Sequence, residues 1–190
     1  MLQSYWREGV YGLSVNEACR RAKVSKPALY REFGGEDGLM DAVLEHYLAT
    51  VFPSVVDLLS GPGSFADALS ALVNLMTEKR STPAGCLLVK LCAAPARLGP
   101  LTRARIAAFL ERRRELYRGW IVSAQDSGQI NTAISVDLAV AYLETQVTTL
   151  LTQVANGEDP EMVRSQAALA FAALTCMTEA PLLGSQGTPR

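Results

Sequence analysis

Apolar residues recur along this chain at three- and four-residue spacing, and no stretch alternates like a half-buried strand, so the pattern predicts an all-α protein. The sharpest local signals lie between Leu13 and Met40. Ser14 is an N-cap with Glu17 three residues on, a capping-box pattern. Val15, Ala18, Cys19 and Ala22 then share a face, where the small Ala18 and Ala22 would let a second helix cross closely. Lys23 and Val24 make the turn, with Val24 plugging the corner. Ser25 caps the next helix, Pro27 falls in its first turn, where a missing N–H costs nothing, and Leu29 and Phe33 face inward. Gly34 and Gly35 end that helix, and Glu36 and Asp37 suit the positive N-terminus of the one after. Two short helices at a sharp angle make a helix-turn-helix, with Lys26, Pro27, Ala28, Tyr30 and Arg31 outward. Ahead of it, Leu2, Tyr5 and Trp6 line a short helix ending at Gly9, with Trp6 covering the core of the head.

The rest of the chain reads as a helical body. Asp37 to Val51 forms a helix with Leu39, Met40, Val43, Leu44, Tyr47 and Leu48 inward, and Pro53 kinks or ends it before a short helical stretch to Leu59. Ser60-Gly-Pro-Gly-Ser64 breaks the chain before a helix over 65–79. Residues 81–85 form a loop, and the run CLLVKLCAA from Cys86 is apolar almost all round, which predicts a central helix. Leu101 to Ser127 is long and amphipathic, with Ile106, Phe109, Leu110, Arg113, Leu116, Tyr117, Trp120, Ile121 and Ala124 inward. Asp137 to Asn156 and Pro160 to Met177 form a last pair. Their predicted inner faces carry Leu138, Ala141, Tyr142, Thr145, Thr149 and Thr152, then Val163, Ala167, Ala170, Phe171 and Leu174. The domains expected are a head over 1–48, a body over 49–180 and a tail over 181–190.

Charge changes the picture only locally. The net charge is −1, yet residues 1–33 hold six basic side chains (Arg7, Arg20, Arg21, Lys23, Lys26, Arg31) against three acidic ones (Glu8, Glu17, Glu32). That surplus suits a nucleic-acid-binding head, or else an ordinary solvated helix face. The ERRRE run over 111–115 has acids at both ends and is expected to be an ion-paired surface, with Arg113 the candidate to face an acidic ligand. Cys19, Cys86, Cys92 and Cys176 form no CxxC pair and no metal-ligand spacing, and are expected to be buried small residues in a reducing cytosol. His46, the only histidine, is expected at the surface. No paired-carboxylate, Ser/His/Asp or glycine-rich phosphate constellation is visible, which argues against an enzyme, and no cofactor or metal is expected. No stretch stands out as a membrane span, the apolar run over 167–174 being too short.

The segment VSKPALYREFGGEDGLMDAVLEHY resembles the DNA-binding signature of tetracycline-repressor-like (TetR/AcrR) transcriptional regulators, specifically over residues 5–48 and more weakly beyond. The matching features are the Val-Ser cap, Leu-Tyr and then Phe on the recognition helix, and a glycine-led turn into Gly-Leu-Met. The resemblance implies an N-terminal three-helix head on a C-terminal ligand-binding and dimerisation body. It also implies a cytoplasmic homodimer joined through helices 137–156 and 160–177, double-stranded operator DNA as partner, and repression relieved by a small-molecule effector. Ser14, Ser25, Lys26, Pro27, Ala28, Tyr30 and Arg31 would meet DNA. Met76, Cys86, Val89, Tyr117, Trp120, Tyr142 and Gln146 are candidates to line the ligand cavity. Three departures stand out. Lys23 takes the turn position that is usually glycine, Glu36 replaces a lysine that meets phosphate, and the first helix and the basic arm before it look truncated, so that either the true start lies upstream or the arm is lacking. They leave open a helical dimer that binds a ligand or protein and has lost the operator.

Overall fold

The structure, a computed structural model, describes residues 2–78, 83 and 85–175. Cys176, Met177, the expected tail and most of the 79–84 segment lie outside the described residues. Among those described, every regular element is helical: α1 (Leu2–Gly12), α2 (Val15–Ala22), α3 (Lys26–Phe33), α4 (Glu36–Ser60), α5 (Phe65–Thr77), α6 (Leu87–Cys92), a 3-10 turn at Pro95–Arg97, α7 (Pro100–Asp126), α8 (Val136–Asn156) and α9 (Pro160–Thr175).

The capping signals place the ends. Ser14, Ser25, Ser64 and Ser135 each accept a hydrogen bond from a first-turn N–H of the helix they precede, which satisfies a donor that helix geometry leaves orphaned. At Ser64 the box is complete, with Asp67 returning a bond to the Ser64 N–H. At Ser14 it is only half made, because the Glu17 carboxylate takes Arg20 and Arg21 instead. Gly38 explains the glycine after the turn: a Cβ there would lie 1.7 Å from the Phe33 carbonyl oxygen, so only glycine lets α4 start so close beneath α3.

Two hydrophobic cores result. The first joins Tyr5, Trp6, Ala18, Leu29, Leu39, Leu44 and Tyr47 of the head to Leu87, Leu88 and Leu91 of α6 and to Leu98 and Ile106. The second lies in the body, between the far half of α4, α5, α7, α8 and α9, and centres on Leu72, Tyr117, Ile121, Leu143 and Val163. α4 runs through both. It does not end at Pro53, one of the two outcomes expected there, and Val55 and Leu59 beyond the proline are buried. It is long and apolar enough to cross a membrane, contrary to the sequence expectation, and here its apolar side chains are divided between the two cores.

Several burial expectations are corrected. Val24 is 45% exposed and Phe33 37%, so neither plugs the head; Ala22 is exposed too, and Ala18 alone sits at the helix crossing. Cys92 is exposed rather than buried. On α8 the inward side chains are Ala139, Val140, Leu143, Val147 and Leu150, whereas Leu138, Ala141, Thr145, Thr149 and Thr152 are exposed. The branched residues of α8 supply more apolar volume than its threonines, and contact with α5, α6, α7 and α9 selects that face.

Candidate nucleic-acid interface and internal cavity

The turn between α2 and α3 is held by Lys23, the one non-glycine residue with positive φ among those described (φ 56°, ψ 39°). A left-handed residue with a Cβ is strained by roughly 1–2 kcal/mol. The Lys23 and Val24 N–H groups donate to the Arg20 and Cys19 carbonyls, which closes α2 and sets the direction of α3. Lys26, Pro27, Tyr30 and Arg31 are exposed on α3, Ala28 is half-buried, and Leu29 is buried at 3% as the anchor. The Lys26 ammonium lies 5.5 Å from the Tyr30 ring centre. Ser14 and Ser25 are also exposed, each beside its helix N-terminus.

The basic surplus of the head is unevenly available. Arg20 and Arg21 both bind the Glu17 carboxylate, and Arg21 also reaches Glu8 on α1, tying α1 to α2. These contacts hold the Glu17 carboxyl down at about 2. No such pair engages Lys23, Lys26 or Arg31 among the described residues. Lys23, Lys26 and Arg31, on the turn and α3, and Arg7 on α1 are thus the head's basic residues outside such pairs among the described residues.

α4 ties this head to α7, and the polar contacts begin at its first turn. The Asp37 carboxylate accepts bonds from the Leu101 and Thr102 N–H groups (2.8 and 3.1 Å) and from the Thr102 hydroxyl (2.7 Å), which caps α7 from another helix. Burial works to raise the Asp37 pKa, but the Thr102 hydroxyl and the two N–H donors outweigh it and bring it below the ordinary value. One turn on, Asp41 pairs with Arg105 (2.8 Å for Oδ2).

A cavity of about 700 Å³ opens between α4, α5, α7 and α8, with Pro83, Gly85, Cys86 and Leu88 also on its wall. Its wall includes Met76, Cys86 and Tyr117 of the sequence candidates. Val89, Trp120, Tyr142 and Gln146 lie elsewhere: Trp120 stacks on Phe65 at 4.3 Å, and Tyr142 donates its hydroxyl to the Ala170 carbonyl at 2.8 Å, joining α8 to α9. Helical periodicity gives a face but not the depth at which two helices separate, so Leu88 rather than Val89, and Val147 rather than Gln146, reach the wall. Trp6, Tyr47, Phe52 and Phe109 line it as well. Sequence reasoning had given Trp6 and Tyr47 to the head and Phe109 to the body core. Arg113 is on the wall, with its guanidinium 3.1 Å from Glu144 and its Nε buried without a hydrogen-bond partner among the described residues. Elsewhere in the ERRRE run Arg114 meets Glu111 and Glu144, and Glu115 meets Arg118, as expected of an ion-paired surface, whereas Arg112 lies 5.7 Å from the Phe52 ring centre. His46 is exposed, as expected.

Residues 2–43 match the family described as bacterial regulatory proteins, tetR family. The HTH-type transcriptional repressor ComR of Escherichia coli (strain K12) is 29% identical over 99 residues, which is 48% of this chain and 45% of that protein, so the match spans less than half of the relative's length. The fold is shared more widely. A cysteine mutant of the TetR family transcriptional regulator CifR, complexed with 26bp double-strand operator DNA, superposes with a TM-score of 0.77 at 21% identity, covering 91% of this chain and 92% of that one. The reduced form of E. coli NemR gives 0.76 at 19%, with 96% and 95% covered. A transcriptional regulator from Saccharomonospora viridis in complex with choline gives 0.73 at 15%, with 90% and 91% covered. The chain thus has the fold of TetR-family regulators over nearly its whole length, and its head is similar in sequence to the tetR family of bacterial regulatory proteins.

Proposed function

We propose that the protein is a sequence-specific, DNA-binding transcriptional regulator, a homodimeric repressor released from its operator by a small molecule. The observation that carries the reading is the surface of α3: a short helix anchored by Leu29 that presents Lys26, Pro27, Tyr30 and Arg31 outward, on a head matched to the family. Arg31 and Lys26 would reach base edges or phosphates, the Tyr30 hydroxyl a phosphate, and Pro27 and Ala28 thymine methyl groups, while Ser14 and Ser25 add phosphate bonds at helix N-termini. Two such heads must stand about 34–36 Å apart to enter successive major grooves.

Support for the dimer comes from α8 and α9. Their outer faces leave Leu138 54%, Met162 55% and Leu169 78% exposed beside alanines and threonines, apolar area of the kind a self-complementary helix pair would cover. Support for the effector is the 700 Å³ cavity, aromatic-walled and carrying a buried unpartnered donor at Arg113. A molecule that binds better in one arrangement of α4 than another would change the head spacing. The proposed domains are a head over residues 1–48 and a regulatory body beyond, with a cytoplasmic location.

The test is a fluorescence-anisotropy titration against DNA from upstream of the gene and its neighbours, at several salt concentrations, with Tyr30→Ala and Arg31→Ala alongside. Tight, salt-dependent binding that weakens at least tenfold in each variant is expected, with folding unchanged. Binding no tighter than to random DNA would leave the competing reading, a helical dimer for a ligand or protein partner, which Glu36 at the head of α4 and the strained Lys23 turn favour.

A further inference from the structure

Trp6 stands where the head and the cavity meet. It belongs to α1, yet it lines the cavity in the body, and only 8% of it is exposed. Its indole N–H donates to the Gly85 carbonyl at 2.8 Å, and its own carbonyl accepts from the Lys90 ammonium on α6 at 2.8 Å. Its ring meets Tyr47 of α4 edge to face at 4.8 Å, and the Tyr47 hydroxyl lies 3.2 Å from the Cys86 sulfur. Burial raises the Tyr47 pKa, so the phenol stays protonated and remains a donor. Trp6, Gly85, Cys86 and Tyr47 form a closed ring of contacts at one end of the cavity.

The two sides of that ring differ in how far they can yield. Gly85 is wedged against α8: a Cβ on it would come within 2.4 Å of the Ala155 Cβ, and its φ of 76° leaves no ordinary side chain at ease there. The body side is therefore at its packing limit. On the head side, α1 is broken at Gly9 (φ 65°, ψ −170°), where nothing lies within 4 Å of a would-be Cβ. Residues 2–8 form a lever that carries Trp6 three residues from a pivot at Gly9, and Arg21 holding Glu8 beside the pivot links it to α2.

We infer that Trp6 is the residue through which the head reads the cavity: a molecule seated against Trp6, Tyr47 and Gly85 displaces the indole, not the wedged glycine, and turns α1 about Gly9. Occupancy is then passed to the helix-turn-helix through α1 directly, in addition to α4. This rests on the ligand-responsive reading above and supplies its route.

The experiment uses N-phenyl-1-naphthylamine, an uncharged aromatic dye that fits within the cavity volume, and the full chain without DNA. In a Trp120→Phe background, Trp6 is the one remaining tryptophan, since Trp120 lies away from this cavity. Dye binding with energy transfer from Trp6 is expected, together with at least tenfold faster amide exchange over residues 2–8. In Trp6→Phe, which keeps an aromatic wall but loses the N–H donor, the exchange response should be lost at saturating dye, with saturation read from the dye's own fluorescence. Lys90→Met, which leaves the wall intact but frees the Trp6 carbonyl, should weaken the response at unchanged dye affinity. Failure of the dye to enter, or an exchange response that is absent in wild type or equal in Trp6→Phe, overturns the inference. A normal response in a chain that binds no operator would instead remove the DNA-binding reading and leave this one standing.

Discussion

The α2–α3 pair of the head and the α8–α9 pair of the body are both two-helix units, but they are stabilised from opposite directions. α2 and α3 are eight residues each, too short to persist alone, and their ends are fixed locally by Ser14, Ser25, the Lys23 turn and Gly34. Few of their side chains are buried: Val15, Ala18 and Cys19 on α2 and Leu29 on α3. What they show to solvent is mainly charge and hydroxyl, with Phe33 among them. α8 and α9 are 21 and 16 residues long and are held by tertiary packing, with nine side chains buried between them. Their exposed faces set Leu138, Met162 and Leu169 among alanines and threonines. A unit fixed by its caps can give its surface to recognition of a polar partner. One fixed by packing can leave apolar surface for a copy of itself.

The comparison can be tested most severely on α8. Leu143, fully buried in the body core, should cost about 3 kcal/mol when changed to Ala, read by urea denaturation. Leu169→Ala on the outward face of α9 should leave folding of the subunit within about 0.5 kcal/mol. It should instead weaken self-association at least tenfold in sedimentation equilibrium. An equal loss of folding stability in both variants would mean that no outer face is set aside for association.

A smaller effect is expected at Asp37, between the two units. Removing the cap that it gives α7, as Asp37→Ala, should lower stability by about 1–2 kcal/mol. The same carboxylate predicts a pH dependence. Its folded-state pKa is lowered, so its contribution is complete above the unfolded value of roughly 3.9 and is lost as pH falls below about 4 through the lower folded value. Acid titration of wild type and Asp37→Asn, followed by circular dichroism, should show a stability difference at pH 6 that closes towards pH 2. A difference that persists unchanged at pH 2 would assign the effect to packing.

The smallest effect should be at the turn. Lys23→Gly relieves the left-handed strain but loosens the unfolded chain, so a net gain of about 0.5 kcal/mol is expected in thermal denaturation. If DNA binding falls as stability rises, the Lys23 charge contributes to the interface despite its backbone cost.

The head was legible because its information is local. A serine followed by a glutamate three residues on, a proline in a first turn and paired glycines each act within a few residues, so Val15, Ser25 and Gly34 mark their boundaries without knowledge of the rest of the chain. The same locality explains where reading failed inside the head. Val24 and Phe33 are hydrophobic enough to suggest a core, but whether anything covers them depends on partners more than a helix away, and they are exposed.

The sequence by itself determined an all-helical chain, nearly all its boundaries, the family signature of the head and the identity of α3's outward residues. These follow from hydrogen-bond satisfaction at helix ends and from the 3.6-residue period, both properties of a single helix. Tertiary structure alone decided which face of α8 turns inward, that α4 does not end at Pro53, that α6 completes the core of the head, and that Trp6 reaches the cavity. Each of those outcomes is a competition between surfaces on different helices, settled by volume and by contacts such as Trp6 with Gly85 across 79 positions of sequence. Periodicity along one helix carries no information about the neighbour that wins.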